Sequence, residues 1–197
     1  MDRREALALL AGAPLAAIAR WPLARVGLAS EWAQASLVRR GAGKPYAPRF
    51  FTAHEYETVN LLVDLIIPRD ERSGGATDAG VPEFMDFMMT DDPDLQTGTR
   101  GGLAWLDAEA HRRAGKTFVA CSDAERTAIL DDIAYPAKAR QAMSQGVAFF
   151  NDFRDLTASG FWSSKLGVAD IGYVGNQFVG QWNGCPPEQL QKLGVSY

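Results

Sequence analysis

The chain has 197 residues, 47% of them apolar and 22% charged, with a net charge of −4. That length and balance fit one domain with a real core. The negative balance argues against a nucleic-acid partner, and no apolar run reaches the roughly 20 residues that a membrane span needs.

Arg3 and Arg4 precede a mildly apolar stretch, residues 6–19, interrupted by Gly12 and Pro14. As a helix that stretch would reach about 21 Å, short of the roughly 30 Å hydrocarbon core of a bilayer. Downstream, Ala33-Gln34-Ala35 has the small-x-small pattern of a cleavage site. A positive start, a soft apolar core and such a site read as a secretory leader, and the adjacent arginines as its twin-arginine form. Residues 1–35 are therefore expected to be an export signal, and the periplasm the destination. The bland alternative is an ordinary amphipathic first helix. Twin-arginine export carries proteins already folded, often with a cofactor loaded, so the address implies a cofactor protein: this chain or a passenger.

Residues 36–50 mix Gly, Pro and basic side chains without a period and read as a linker. The domain then spans 51–197. Thr52 and Glu55 form a capping-box pattern ahead of Val59, Leu62, Val63 and Ile66, which share one helical face, and Pro68 ends that helix. A Gly- and Asp-rich loop follows. Pro82 then opens a second helix that carries Phe84, Phe87 and Met88 on one face. The stretch from Gly102 reads as a helix ended by Gly115, and Ser122 with Glu125 caps the next. A long helix over about 136–156 carries Met143, Val147, Phe150 and Phe153 at steps of three and four. No alternation of the strand type competes, so the fold class is all-α, a compact bundle of five or six helices. From Gly160 the pattern changes to Gly and aromatics without a sustained period. That segment is expected to be irregular, with a short helix after Pro187.

Chemistry-bearing motifs are few. The sequence has no GxGxxG after a strand, no CxxCH, no GxSxG and no HExxH. His54 and His111 stand apart, and His54 reads as an exposed first-turn residue. Asp91, Asp92 and Asp94 lack the glycine and the twelfth-position glutamate of a calcium loop and read as a solvated turn. Asp131 and Asp132 read as surface. Asp64, Asp70 and Asp86 are candidate paired carboxylates, with structural hydrogen bonding the plainer role. No catalytic, cofactor-binding or metal-ligating residue is assigned. Cys121 and Cys185 stand 64 positions apart and outside any CxxC pair, so neither zinc nor thioredoxin-like chemistry is suggested. In an exported protein they are expected to be oxidised, either with each other or one of them with a partner; both staying reduced is the third possibility.

Three blocks in order resemble the gluconate 2-dehydrogenase subunit 3 family: "LLVDLIIPRDERSGGATDAGVPEFMDFMM", "FFNDFRDLTASGFWSSKLGVADIGYVGN" and "NGCPPEQLQKLGV". The resemblance covers about residues 50–195. It implies the small subunit of a periplasmic flavin sugar or alcohol dehydrogenase. FAD would sit in a large subunit of the glucose-methanol-choline type, and a cytochrome c subunit would take the electrons. The small subunit would bear the export signal for the large one and help it fold, with no cofactor of its own. Phe161, Trp162, Tyr173, Phe178 and Trp182 then become the expected partner interface, since aromatic side chains dominate such patches. A free-standing periplasmic helical enzyme or binding protein is the competing reading.

Overall fold

The computed structural model describes residues 21–172, 180–181 and 184–195. Among these it holds eight α-helices and no strand, so the chain is all-α. They are α1 (Leu23–Gly41), α2 (Ala53–Ile66), α3 (Val81–Asp91), α4 (Pro93–Ala114), α5 (Asp123–Ala134), α6 (Ser144–Trp162), α7 (Lys165–Asp170) and α8 (Pro187–Leu193).

Local signals set several boundaries where the sequence puts them. Thr52 accepts the Glu55 amide while the Glu55 carboxylate accepts the Thr52 amide, and Ser122 and Glu125 repeat the arrangement at α5. Each box satisfies two amides that a helix start leaves without intrahelical partners. Gly115 ends α4 in the left-handed region at φ 71°, a conformation that costs glycine little. Val59, Leu62 and Val63 are wholly buried, and Ile66 nearly so. Burying each contributes roughly 1.5–3 kcal/mol before entropy is counted.

Three boundaries differ from the expectation. α4 begins at Pro93, about ten residues before Gly102, because the Asp92 carboxylate accepts the Asp94 amide and Pro93 occupies the first turn. The acidic run expected to be a solvated turn is thus a helix junction. α6 begins later, after a 3₁₀ turn over Gln141–Met143, and runs on to Trp162. The expected irregular segment therefore starts with the last turn of α6, and α7 follows after Ser163 and Ser164. Finally, α1 runs through the expected leader–linker boundary at residue 35 and ends at Gly41.

α6 is the axis of the bundle. It packs against α1, α2, α3, α4, α5 and α7, while α3 packs against α1, α2, α4 and α6. Phe150, Phe153, Leu156 and Phe161 of α6 meet Phe84, Met85 and Met88 of α3 in one continuous core with Leu103, Leu106, Phe118, Ile129 and Ile133. Two close approaches let α4 lie against α6. A Cβ on Gly102 would fall 1.8 Å from the Phe149 ring, and one on Gly146 2.4 Å from the Trp105 ring.

Candidate functional site

Two features stand out: a buried polar cluster under α1 and an open apolar groove between α4 and α6.

The cluster centres on Asp86 of α3, which is wholly buried. Its Oδ1 accepts the Phe50 and Phe51 amides at 3.0 and 3.2 Å. Its Oδ2 accepts the Arg49 amide at 2.8 Å and the Tyr46 hydroxyl at 2.7 Å. These donors come from the segment between α1 and α2, so one carboxylate fixes the connection that the sequence reads as a linker. Tyr46 in turn accepts Trp32 Nε1 at 3.4 Å. Burial, reinforced by Asp86, pushes the Tyr46 phenol far above its ordinary value. Glu83, one turn earlier and also wholly buried, meets Arg40 of α1 at 3.0 Å. Burial raises its pKa despite the guanidinium. A carboxylate saturated by four donors and a glutamate shut away from solvent are suited to holding elements together rather than to meeting a substrate.

The other singled-out carboxylates act locally. Asp64 accepts the Thr77 amide at 2.9 Å and the Thr77 hydroxyl at 2.7 Å, tying α2 to the loop before α3. Asp70 accepts the Arg72 and Ser73 amides within that loop. Structural hydrogen bonding is thus what Asp64, Asp70 and Asp86 do. His54 is exposed, as expected, with its Nε2 2.5 Å from Asp107 Oδ2; that hydrogen bond raises its pKa. Asp107 also accepts the Phe118 amide at 2.8 Å. Asp91 and Asp92 both pair with Arg25 of α1, and Asp132 with Arg113 and Arg140. Among the described residues no group of three or more His, Cys, Asp and Glu is placed to hold a metal ion. No helix there is long and apolar enough to cross a membrane.

The groove has a volume of about 520 Å³. Its apolar walls are Trp21, Met85, Met89, Trp105, Phe149 and Phe153, with Asp94, Gln145 and Asp152 among its polar lining residues. Gly98 and Gly101 of α4 line it too, and each has open space where a side chain would be. Sequence reasoning missed this groove, because it depends on the Gly102–Phe149 and Gly146–Trp105 contacts, which join residues 41–47 positions apart.

Of the aromatic residues expected to meet a partner, Phe161 is wholly buried and belongs to the domain's own core. Trp162 is half-buried, stacked edge-on against Phe161 with centroids 4.8 Å apart. Tyr173, Phe178 and Trp182 lie outside the described residues, as do Arg3 and Arg4. Cys121 is buried, 3% exposed, while Cys185 is half-buried beside the start of α8. A bond to another chain through Cys121 requires its surroundings to open; Cys185 is the more accessible of the two.

The buried charges of this helical domain hold its own loops, and its groove is lined by aromatic and methionine side chains. The chain belongs to the gluconate 2-dehydrogenase subunit 3 family, whose model matches residues 53–184. The family's name makes it a subunit of a multi-subunit dehydrogenase. No curated protein and no solved structure matches the chain.

Proposed function

We propose that this chain is the non-catalytic small subunit of a periplasmic, FAD-dependent sugar or alcohol dehydrogenase. In this reading it carries the flavoprotein through the twin-arginine route and stabilises its fold. The family match over residues 53–184 carries the reading, and Arg3 and Arg4 ahead of a soft apolar stretch support the escort role. FAD belongs to a large subunit of the glucose-methanol-choline type, and haem c to a cytochrome subunit that takes the electrons. The docking face is assigned to the C-terminal part of the chain. There Ile171, Leu193 and Val195 are more than half exposed and Trp162 is partly so, while Tyr173, Phe178 and Trp182 add aromatic side chains to the same stretch of sequence.

The test is fractionation of cells carrying both subunits with separate tags. Changing Arg3 and Arg4 together to Lys should strand this chain and the flavoprotein in the cytoplasm. A flavoprotein that still reaches the periplasm refutes the escort role. Purification should recover a yellow partner, and sugar oxidation with an artificial acceptor should require it; turnover by the lone chain would refute the non-catalytic reading.

A further inference from the structure

The expected cleavage site, Ala33-Gln34-Ala35, lies in the middle of α1. Ala29, Ala33 and Ser36 are at most 2% exposed, so this helix faces the core. It lies antiparallel along α3 and is pinned at both ends. Near its start Arg25 pairs with Asp91 at 2.8 Å and with Asp92. Near its end Arg40 reaches the buried Glu83 at 3.0 Å and the Thr77 carbonyl at 3.2 Å. Between them, the Trp32 ring packs 6.0 Å from the Phe87 ring, with the guanidinium of Arg49 4.1 Å from its centroid. Ser30 donates to the Ser163 carbonyl at 2.8 Å, joining α1 to the end of α6. Leu37 and Ala33 close over Gly80, where an added Cβ would sit 3.1 and 3.4 Å from them.

Proteolysis concentrates where the backbone is exposed and easily freed from hydrogen bonds. Residues 33–36 meet neither condition, since they are mid-helix with two of the four side chains buried. On a route that carries folded chains, α1 is already docked when the leader reaches a peptidase. Cutting after Ala35 would also detach Trp21, Arg25, Ser30 and Trp32 from the contacts they make with the rest of the domain.

We propose that α1 is a permanent part of the exported protein and that the leader is cut after Ala19. There Ala17-Ile18-Ala19 offers another small-x-small triplet, at the very end of the apolar stretch. The mature chain then begins at Arg20, one residue before Trp21, which lies in the groove wall. This rests on the export reading above. It also accounts for a domain that starts well before residue 53, where the family match begins.

Intact-mass measurement of the chain recovered from the periplasm tests it, on wild type and on two variants of the residue before each candidate cut. Ala35 is exposed on α1, so Ala35→Gln leaves the fold intact. The expected result is a wild-type chain starting at Arg20, the same start in Ala35→Gln, and accumulated precursor in Ala19→Gln. A chain starting at Ser36, or precursor accumulating in Ala35→Gln, overturns the proposal; an uncut periplasmic chain overturns the site at Ala19. If the chain never leaves the cytoplasm, the export reading fails. The permanence of α1 is then read from the melting temperature of full-length Ala33→Asp against Ala35→Gln. A fall confined to Ala33→Asp, or its failure to fold while Ala35→Gln folds, supports a docked α1; equal melting of both overturns it.

Discussion

Gly98, Gly101 and Gly102 lie in one helix, α4, yet alanine should act on them in opposite directions. In a helix interior, Gly→Ala gains about 1 kcal/mol through backbone entropy. At Gly98 and Gly101 nothing stands within 4 Å of the added methyl, so the gain should appear whole. At Gly102 the methyl would fall 1.8 Å from Phe149 Cδ2 and 2.1 Å from Cγ. The ring, which is only 7% exposed, must move by more than an ångström. Overpacking of that kind costs about 1–3 kcal/mol, and the groove on one side of Phe149 gives the ring some room. With the middle of that range, and net of the helical gain, Gly102→Ala should destabilise by about 1 kcal/mol. For a chain of this size 1 kcal/mol moves the melting temperature by about 2–4 °C. Thermal unfolding followed by circular dichroism should therefore show Gly98→Ala and Gly101→Ala melting about 2–4 °C higher and Gly102→Ala lower than wild type. Gly102→Ala rising with the other two would refute the close packing of α4 on α6, and with it the floor of the groove.

Asp86→Ala should leave the Tyr46 hydroxyl and three amides without their acceptor, costing about 3 kcal/mol, with Asp86→Asn costing less because one acceptor oxygen remains; urea midpoints at unchanged slope measure both. The Glu109 carboxylate is held down to about 2, chiefly by its hydrogen bond to Arg112 and also by Arg113. Its folded pKa lies below the ordinary 4.5, so its contribution is complete above about pH 4.5 and is lost as pH falls toward 2; Glu109→Gln should flatten stability over that window. His54 runs the other way. Asp107 raises its pKa above 6.5, so its contribution is complete below that pH and fades as pH rises through the raised value, and His54→Gln should remove the slope. Trp162→Ala should weaken copurification with the proposed flavoprotein partner while the lone subunit keeps most of its melting temperature; an early melt with unaltered binding would instead make Trp162 part of the core alone.

What the sequence disclosed was local. The Thr52–Glu55 and Ser122–Glu125 boxes and the Gly115 stop are short-range geometry, and a three-residue spacing is enough to read them. The apolar faces of α2 and α6 repeat at helical period and are equally legible. The start of α4 was hidden because Asp92 and Pro93 sit in an acidic run that also fits a turn. α1 was hidden by composition: it buries Ala29, Ala33 and Ser36, small residues that also suit a leader. Only the match to α3, from Arg25–Asp91 to Arg40–Glu83, shows that it belongs to the domain. The Asp86 cluster was invisible for a similar reason, since its donors lie 35–40 positions away and three of them are backbone amides.

The central place of α6 has a consequence for how the chain is made. Synthesis proceeds from the N-terminus, and α1 through α5 emerge before the helix against which every one of them packs. Until Ser144–Trp162 has left the ribosome, Phe84, Met88, Leu106 and Ile133 lack the surface that joins them into one core, although α3 already has α1, α2 and α4 to pack against. The nascent chain must therefore carry the faces that α6 covers open for at least roughly three-quarters of its synthesis, a span in which holding chaperones have access to them. Completion of the core is thus a late event in the making of the chain. Ribosome-stalled chains ending before residue 144 should accordingly show at most partial protection from protease, through the packing of α1 on α3, and chains carrying α6 clear of the tunnel should gain full protection in α1 through α5 together.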